Sequence, residues 1–178
     1  KIIEVMENVK SGVSDIGILC FSKANASVIL KELSNRSLVY NPLIERTPHI
    51  IIRASHPLSR LHYVTWENLK DYPLVSYYQG VESSLNFSSE IIYPINTDKT
   101  IYISDKGTMY NILLNTDAYI VDSGVLSNSS FAGKVAIKPI AESGTLNIGW
   151  ICRKRASMRE LDAKYLNLLI DTIKKSVE

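Results

Sequence analysis

Hydrophobic and polar residues follow two patterns along this chain, one at helical spacing and one typical of strands. Apolar residues at helical spacing, with Gly12 at the position of a C-cap, predict a helix over residues 1 to about 11. The run from Asp15 to Phe21 is short and continuously apolar, which favours a strand covered on both faces. The chain therefore begins with a helix followed by a buried strand.

The same alternation continues to the C-terminus. A helix ending at Asn35 follows the first strand, Thr65 and Asp105 are N-cap residues of two more, and residues 83 to 90 form a weak helix. Ser157-Met158-Arg159-Glu160 reads as a capping box for the last helix. Further strands are predicted at Leu38–Leu43 (an edge strand), His49–Ala54, Leu74–Tyr78, Thr100–Ser104, Ala118–Val121, Val135–Ile140 and Leu146–Cys152. This order of elements is typical of a mostly parallel α/β protein.

Composition and charge exclude several classes of protein. The chain has 178 residues, of which 46% are hydrophobic and 21% charged, an ordinary globular mixture that rules out a disordered chain. A formal net charge of +2 without blocks of like charge gives no sign of a surface for nucleic acid or an anionic membrane. Apolar runs stay short of the roughly 18 residues that a membrane span needs.

The first residue and the cysteines bear on the origin of the chain. Residue 1 is Lys1 and already lies in the first helical pattern, so we expect the chain to be a fragment of a longer protein. Cys20 and Cys152 each lie in an apolar run, which favours buried thiols in a reducing compartment, while one disulfide remains open.

Catalytic and metal-binding motifs are missing from the sequence. It has no Gly-x-Ser-x-Gly elbow, no Gly-x-x-x-x-Gly-Lys loop and no Gly-x-Gly-x-x-Gly turn, so we expect no enzyme and no cofactor. The spacings of His49, His56 and His62 match no metal-ligand pattern, and no metal site is predicted. The ten tyrosines fall mostly in apolar runs, which indicates half-buried core positions.

The candidate binding residues are polar side chains at the carboxyl ends of predicted strands. In open α/β sheets the loops at these ends border the ligand crevice, and helix starts there present unpaired N–H groups. Each residue also suits plain helix capping, which is the alternative interpretation. The candidates are Ser22, Ser76, Tyr77, Ser104, Asp105 and Asp122.

The ligand expected at these residues is a small anion or carboxylate. A small anion or carboxylate would accept hydrogen bonds from Ser104, from the N–H groups of Lys106 and Gly107, and from Ser22, Ser76 and Tyr77. The negative charge of Asp105 competes with an anion at that helix start and suits a ligand that carries an amine.

The order of several segments resembles the effector-binding domain of LysR-type transcriptional regulators. Residues 9 to 18 are similar to that family's passage of helix, glycine, aspartate and strand. Ile50–Leu58 is similar to its strand followed by His-Pro-Leu, and Val64–Val75 to its next helix, Tyr-Pro pair and strand. Residues 146 to 170 look like the returning strand, the basic turn and the final helix, so the resemblance covers nearly the whole chain.

The resemblance implies a type 2 periplasmic-binding-protein-like α/β fold, with two α/β lobes joined by two crossover strands. We place residues 1 to 75 and 147 to 178 in lobe I and residues 76 to 146 in lobe II. The crossovers would be Leu74–Tyr78 and Leu146–Cys152. The resemblance also implies that residues 1 to 178 lack the family's N-terminal DNA-binding domain and the first strand of its effector domain.

The resemblance also implies a function. It indicates a bacterial, cytoplasmic ligand sensor without enzymatic activity, which binds a small metabolite between two lobes and modulates DNA binding and transcription. DNA would be contacted only through the missing domain, no membrane would be involved, and the assembly would be a homodimer, or a homotetramer in the full-length protein. The alternative is a solute-binding protein of a transporter, and the residues upstream of Lys1 would distinguish the two.

Overall fold

The computed structural model describes residues 1–78, 99–124, 131 and 133–175 of the chain. The expected helix over residues 83 to 90 lies outside this part. The helices are α1 (Ile2–Ser11), α2 (Ala26–Asn35), α3 (Trp66–Leu69), α4 (Lys106–Asn115) and α5 (Glu160–Lys175), with 3-10 turns at Lys23–Asn25 and Pro57–Arg60. The strands are β1 (Ile16–Ser22), β2 (Leu38–Arg46), β3 (His49–Arg53), β4 (Leu74–Tyr77), β5 (Thr100–Ile103), β6 (Ile120–Asp122), β7 (Val135–Pro139) and β8 (Leu146–Arg153).

The chain divides into two compact units. Within the described residues, unit 1 contains 1–46 and 145–175, and unit 2 contains 47–78 and 99–144. The chain therefore enters unit 2 after Arg46 and returns to unit 1 at Thr145. The return lies close to residue 147, where it was expected. The first boundary was expected after residue 75, but in the structure unit 2 begins at Thr47.

Strand pairing explains why unit 2 begins directly after Arg46. β3, expected in lobe I, lies between β6 and β7 and pairs with both, so residues 47 to 75 belong to unit 2. The expected crossover strand Leu74–Tyr78 instead forms β4, which pairs with β5 inside unit 2. β2 is the strand after which the chain leaves unit 1.

Unit 1 is built on a sheet with the order β1-β8-β2, in which β8 is antiparallel to both neighbours. Helices α1 and α2 pack on this sheet through apolar side chains at helical spacing. This core contains Ile2, Met6, Val9, Leu19, Phe21, Ile29, Leu33, Leu38 and Ile151. Because residues such as Met6 and Ile29 have no exposed surface, their replacement by alanine would cost roughly 2–5 kcal/mol of stability.

The start of α5 differs from the expected capping box. The helix begins at Glu160, and the backbone N–H of Arg159 donates to Oδ2 of Asp162 at 3.0 Å. The guanidinium of Arg159 also pairs with Asp162 and with Asp15. Arg159 therefore stands directly before the helix in place of Ser157, and Asp162 takes the role expected for Glu160, with its carboxylate held in place by the arginine.

Unit 2 contains the antiparallel sheet β6-β3-β7 and the parallel pair β4-β5. The isoleucines of β3 explain its central position: Ile50 and Ile52 pack into one core and Ile51 into another. Among the described strands, the β4–β5 pair is parallel and the other pairings are antiparallel. The expected mostly parallel arrangement is thus wrong, because hydrophobic patterning shows which strands are buried but not in which direction they pair.

Candidate functional site

The ends of β4 and β5 bring four of the predicted residues side by side. The two strands are parallel, with Ser76 opposite Tyr102 and Tyr77 opposite Ile103. The N–H of Tyr78 donates to the carbonyl of Ile103 at 2.8 Å, which extends the pairing to the carboxyl ends. Ser104 and Asp105 follow β5 directly, so they share one edge with Ser76 and Tyr77.

Asp105 caps α4. Its Oδ1 accepts a hydrogen bond from the backbone N–H of Thr108 at 2.9 Å, and its Oδ2 accepts one from the Thr108 hydroxyl at 2.7 Å. These hydrogen bonds, together with one from the N–H of Gly107, hold the pKa of Asp105 below its usual value. The helix start is thus already occupied by a carboxylate of the chain itself.

Tyr77 lies among acidic groups. Its hydroxyl donates to Sδ of Met109 on α4 at 3.5 Å. Burial raises its pKa, and the charges of Asp122 and Asp105 add to that effect together with Tyr110. The structure therefore brings Asp122, at the end of β6, into the surroundings of Tyr77 although the two residues are far apart in the sequence.

The exposure of these residues differs. Ser104, Asp105 and Asp122 are exposed, Tyr77 is half-buried, and Ser76 is buried at 6% exposure. Asp122 accepts a hydrogen bond from the hydroxyl of Ser123 at 2.9 Å. Ser104, Asp105 and Asp122 therefore lie at the surface of unit 2, and Tyr77 and Ser76 lie deeper.

An aromatic pair next to this group was missed by the sequence analysis. The rings of Tyr110 and Phe131 stack with centroids 3.7 Å apart and planes within 12° of each other. Burial raises the pKa of Tyr110, and the charge of Asp122 contributes to the shift. The sequence did not single out Tyr110, and no local signal connects it with Phe131, which lies 21 positions later.

Ser22 is the sixth predicted residue and belongs to unit 1. It ends β1 and is 8% exposed, and its hydroxyl has no hydrogen-bond partner. Asn25, three residues later, is 2% exposed, and its side-chain nitrogen also lacks a partner. Asn25 was not among the binding residues predicted from the sequence.

A cavity of about 570 Å³ lies elsewhere in unit 1 and contains none of the predicted residues. It runs along β1 between α1 and α5, and its mainly apolar walls also include the ion-paired side chains of Asp15, Arg159 and Asp162. The strand-end residues and this cavity are therefore different places.

Residues 1–78, 99–124, 131 and 133–175 contain no group of three or more His, Cys, Asp or Glu that could hold a metal ion. His56 is used structurally: its Nδ1 accepts from the N–H of Leu58 at 3.1 Å, and its Nε2 lies 3.1 Å from the carbonyl of Asp117. In the same part of the chain no helix is long and apolar enough to cross a membrane.

Solved structures with the same fold come from transcriptional regulators. The effector-binding domain of QuiR, solved in complex with shikimate, has a TM-score of 0.63 at 14% identity, covering 97% of this chain and 78% of that domain. The reduced OxyR regulatory domain from Pseudomonas aeruginosa has a TM-score of 0.61 at 16% identity, covering 96% of this chain and 77% of that one. HinK, a LysR family regulator from Pseudomonas aeruginosa, has a TM-score of 0.60 at 16% identity, covering 97% of this chain and 56% of HinK.

These comparisons establish the fold. The chain has the α/β fold of LysR effector-binding domains, as the resemblance of its segments predicted. No family model and no curated protein sequence matches the chain.

Proposed function

We propose that this chain is the ligand-sensing regulatory domain of a LysR-type transcriptional regulator, which binds a small molecule and thereby alters DNA binding. The observation that carries the proposal is the correspondence of 96–97% of the chain with regulatory domains of that kind. A ligand acts in such a domain through its different affinities for two arrangements of the protein.

The strand-end residues of unit 2 are the proposed ligand contacts. Ser76, Tyr77, Ser104, Asp105 and Asp122 supply hydroxyls and carboxylates on neighbouring strand ends. The negative charge of Asp122 contributes to the raised pKa of both Tyr77 and Tyr110. The carboxylate of Asp105 lies at the start of α4. An incoming anion would meet these two carboxylates, whereas a protonated amine would be attracted by them.

The site therefore favours a small ligand that carries an amine. The stacked rings of Tyr110 and Phe131 provide an apolar surface in the same region, on which an apolar part of the ligand can pack. A protonated amine next to an aromatic face gains additional attraction from the ring.

A thermal-shift screen tests this proposal on residues 1–178. Amine-bearing metabolites and their amine-free analogues are compared, and a ligand at about 100 times its dissociation constant should stabilise the fold by roughly 2.7 kcal/mol. We expect hits among the amines, and Asp122→Asn should abolish them. Glu142→Gln, a charge change on a residue that takes no part in the site, is the matched control. A screen in which only acids stabilise the protein contradicts the amine preference.

Assembly and DNA contact are the finer parts of the proposal. The regulator would be a homodimer, or a homotetramer in full length, and would contact DNA through another domain. The formal charge of +2 supports the expectation that residues 1–178 alone do not bind DNA specifically. A sequence-specific gel shift by residues 1–178 at physiological salt would overturn that expectation.

The transporter solute-binding protein is the competing function. The solved structures reported above are regulators, which favours the sensor. Reading the gene upstream of Lys1 separates the two, since a helix-turn-helix supports the regulator and a signal peptide supports the solute-binding protein.

A further inference from the structure

Ser22 and Asn25 place two buried polar atoms without partners at the beginning of α2. Ser22 is 8% exposed and Asn25 is 2% exposed. Neither Oγ of Ser22 nor Nδ2 of Asn25 has a hydrogen-bond partner. Buried polar atoms are nearly always hydrogen-bonded in folded proteins, so an unsatisfied pair calls for an explanation.

The same spacing elsewhere in the chain shows what local capping looks like. At the start of α3, Oδ1 of Asn68 accepts from the N–H and the hydroxyl of Thr65, both at 3.0 Å. The N–H of Asn68 donates back to Oγ1 of Thr65 at 3.4 Å. A hydroxyl residue followed three positions later by asparagine thus forms a reciprocal capping box in this protein.

Ser22 and Asn25 have this spacing but do not form the box. The side chain of Ser22 caps nothing, and neither does that of Asn25. The backbone of the turn is nevertheless fixed, since the N–H of Lys23 donates to the carbonyl of Thr145 at 2.9 Å and the N–H of Ala26 bonds to the carbonyl of Lys23. Capping therefore does not account for the two side chains.

We propose that Ser22 and Asn25 form a binding site for a carboxylate of a small ligand. This deepens the proposed function and rests on it, since the sequence predicts that Ser22 donates a hydrogen bond to a small anion or carboxylate. The Asn25 amide offers two N–H donors and the Ser22 hydroxyl offers one. The N-terminal end of α2, ten residues long, adds a partial positive charge beside them.

The buried position of Ser22 and Asn25 strengthens their preference for a carboxylate. A carboxylate held by these donors would be largely removed from water, where hydrogen bonds to a charged acceptor are stronger than in bulk solvent. A cation would find no carboxylate among the two side chains. The site is thus selective for an oxygen acceptor that carries negative charge.

Acetate titration followed by NMR tests the proposal on residues 1–178. The side-chain amide signals of Asn25 and Asn68 are assigned from the Asn25→Asp and Asn68→Asp variants. We expect acetate to shift the Asn25 signals saturably and to leave those of Asn68 in place, because Asn68 is already engaged in its capping box. Methylammonium should shift neither.

Variants separate binding from folding. Ser22→Ala should weaken acetate binding about tenfold through the loss of one hydrogen bond to a charged group. Asn25→Asp keeps the shape but replaces the donors by a negative charge, so the saturable shift should be lost. Asn68→Asp is the matched control and should bind acetate like the unmodified chain, and the amide fingerprint of each variant confirms that it is folded.

The proposal is overturned if acetate leaves the Asn25 signals unmoved, or moves them and those of Asn68 alike without saturation. This outcome is distinct from failure of the proposed function. That function fails when the metabolite screen finds no ligand whose effect depends on Asp122, a residue the acetate experiment does not use.

Discussion

The ring of Tyr40 on β2 lies against Gly149 on the neighbouring strand β8. A Cβ at position 149 would be 2.5 Å from Cε2 and Cζ of that ring, and 2.5 Å from the carbonyl oxygen of Asn41. The side of the ring that faces Gly149 therefore takes the space that any larger residue would need. Phe21 packs near Tyr40 as well, with ring centroids 5.2 Å apart.

Replacing Gly149 by alanine should destabilise unit 1 by roughly 1–3 kcal/mol, because both a ring and a backbone carbonyl must move. Gly17 is the matched control. Its Cβ would also come within 2.5 Å of a neighbour, Cγ1 of Val5, but all of its close contacts are side-chain tips that can shift. In urea unfolding, Gly149→Ala should be less stable than Gly17→Ala, and the reverse order of stability would contradict this explanation.

Removal of the Tyr40 hydroxyl should leave stability unchanged or raise it by up to about 1 kcal/mol. The hydroxyl is buried without a hydrogen-bond partner, and burial raises the pKa of Tyr40 to about 12. Tyr40→Phe keeps the ring against Gly149, whereas Tyr40→Ala removes it and should cost about 3–5 kcal/mol. Thermal unfolding of the two variants checks this, and a clear loss of stability in Tyr40→Phe would reveal a partner for the hydroxyl.

His56 should make the protein less stable in acid. The ring is 1% exposed and is held neutral by one hydrogen bond accepted at Nδ1 and one donated from Nε2. Burial lowers its pKa below the value of 6.5. The stabilisation is therefore complete above that unfolded-state value and is lost as the pH falls through it toward the lower pKa of the folded state.

Urea midpoints measured at about pH 8 and about pH 5 test the role of His56. His56→Gln cannot titrate and should lose the corresponding part of the pH dependence, although it will start from a lower stability. If the variant keeps the full acid sensitivity of the unmodified chain, another group is responsible.

The two cysteines should remain separate thiols under oxidation. Cys20 is opposite Ile148, and Cys152 is opposite Ile16, so the two lie four positions apart along neighbouring strands. At about 3.4 Å per residue this is roughly 14 Å, well beyond the reach of a disulfide at about 7 Å. The disulfide that the sequence left open is thus excluded in the folded unit, and peptide mapping after diamide treatment should find no Cys20–Cys152 cross-link.

Much of the fold was predictable because local chemistry determines it. The isoleucine run of β3, the caps at Thr65 and Asp105, and the glycine after α1 all hold in the structure. Strand direction and the boundary after Arg46 were not predictable, because they depend on which distant strand pairs with β3.

The candidate site, too, could be predicted from the sequence only in part. Strand ends carry recognisable polar residues, so the sequence predicts that Ser76, Tyr77, Ser104 and Asp105 lie at strand ends, and they share one edge in the structure. Tyr110 and Phe131 come together only through tertiary packing. Asn25 stands out only because its buried side-chain nitrogen has no hydrogen-bond partner, which the sequence does not show.

The position of β8 has a consequence for synthesis of the chain. β8 lies between β1 and β2, yet it follows them by about 100 residues, so the unit 1 sheet cannot close until the chain has been made beyond Arg153. Unit 2 lies entirely within the stretch between β2 and β8 and can fold while unit 1 still lacks its central strand. During translation α1, β1 and α2 leave the ribosome before unit 2 but reach their final packing after it, and a ribosome stalled before Leu146 would carry a folded unit 2 together with an open unit 1.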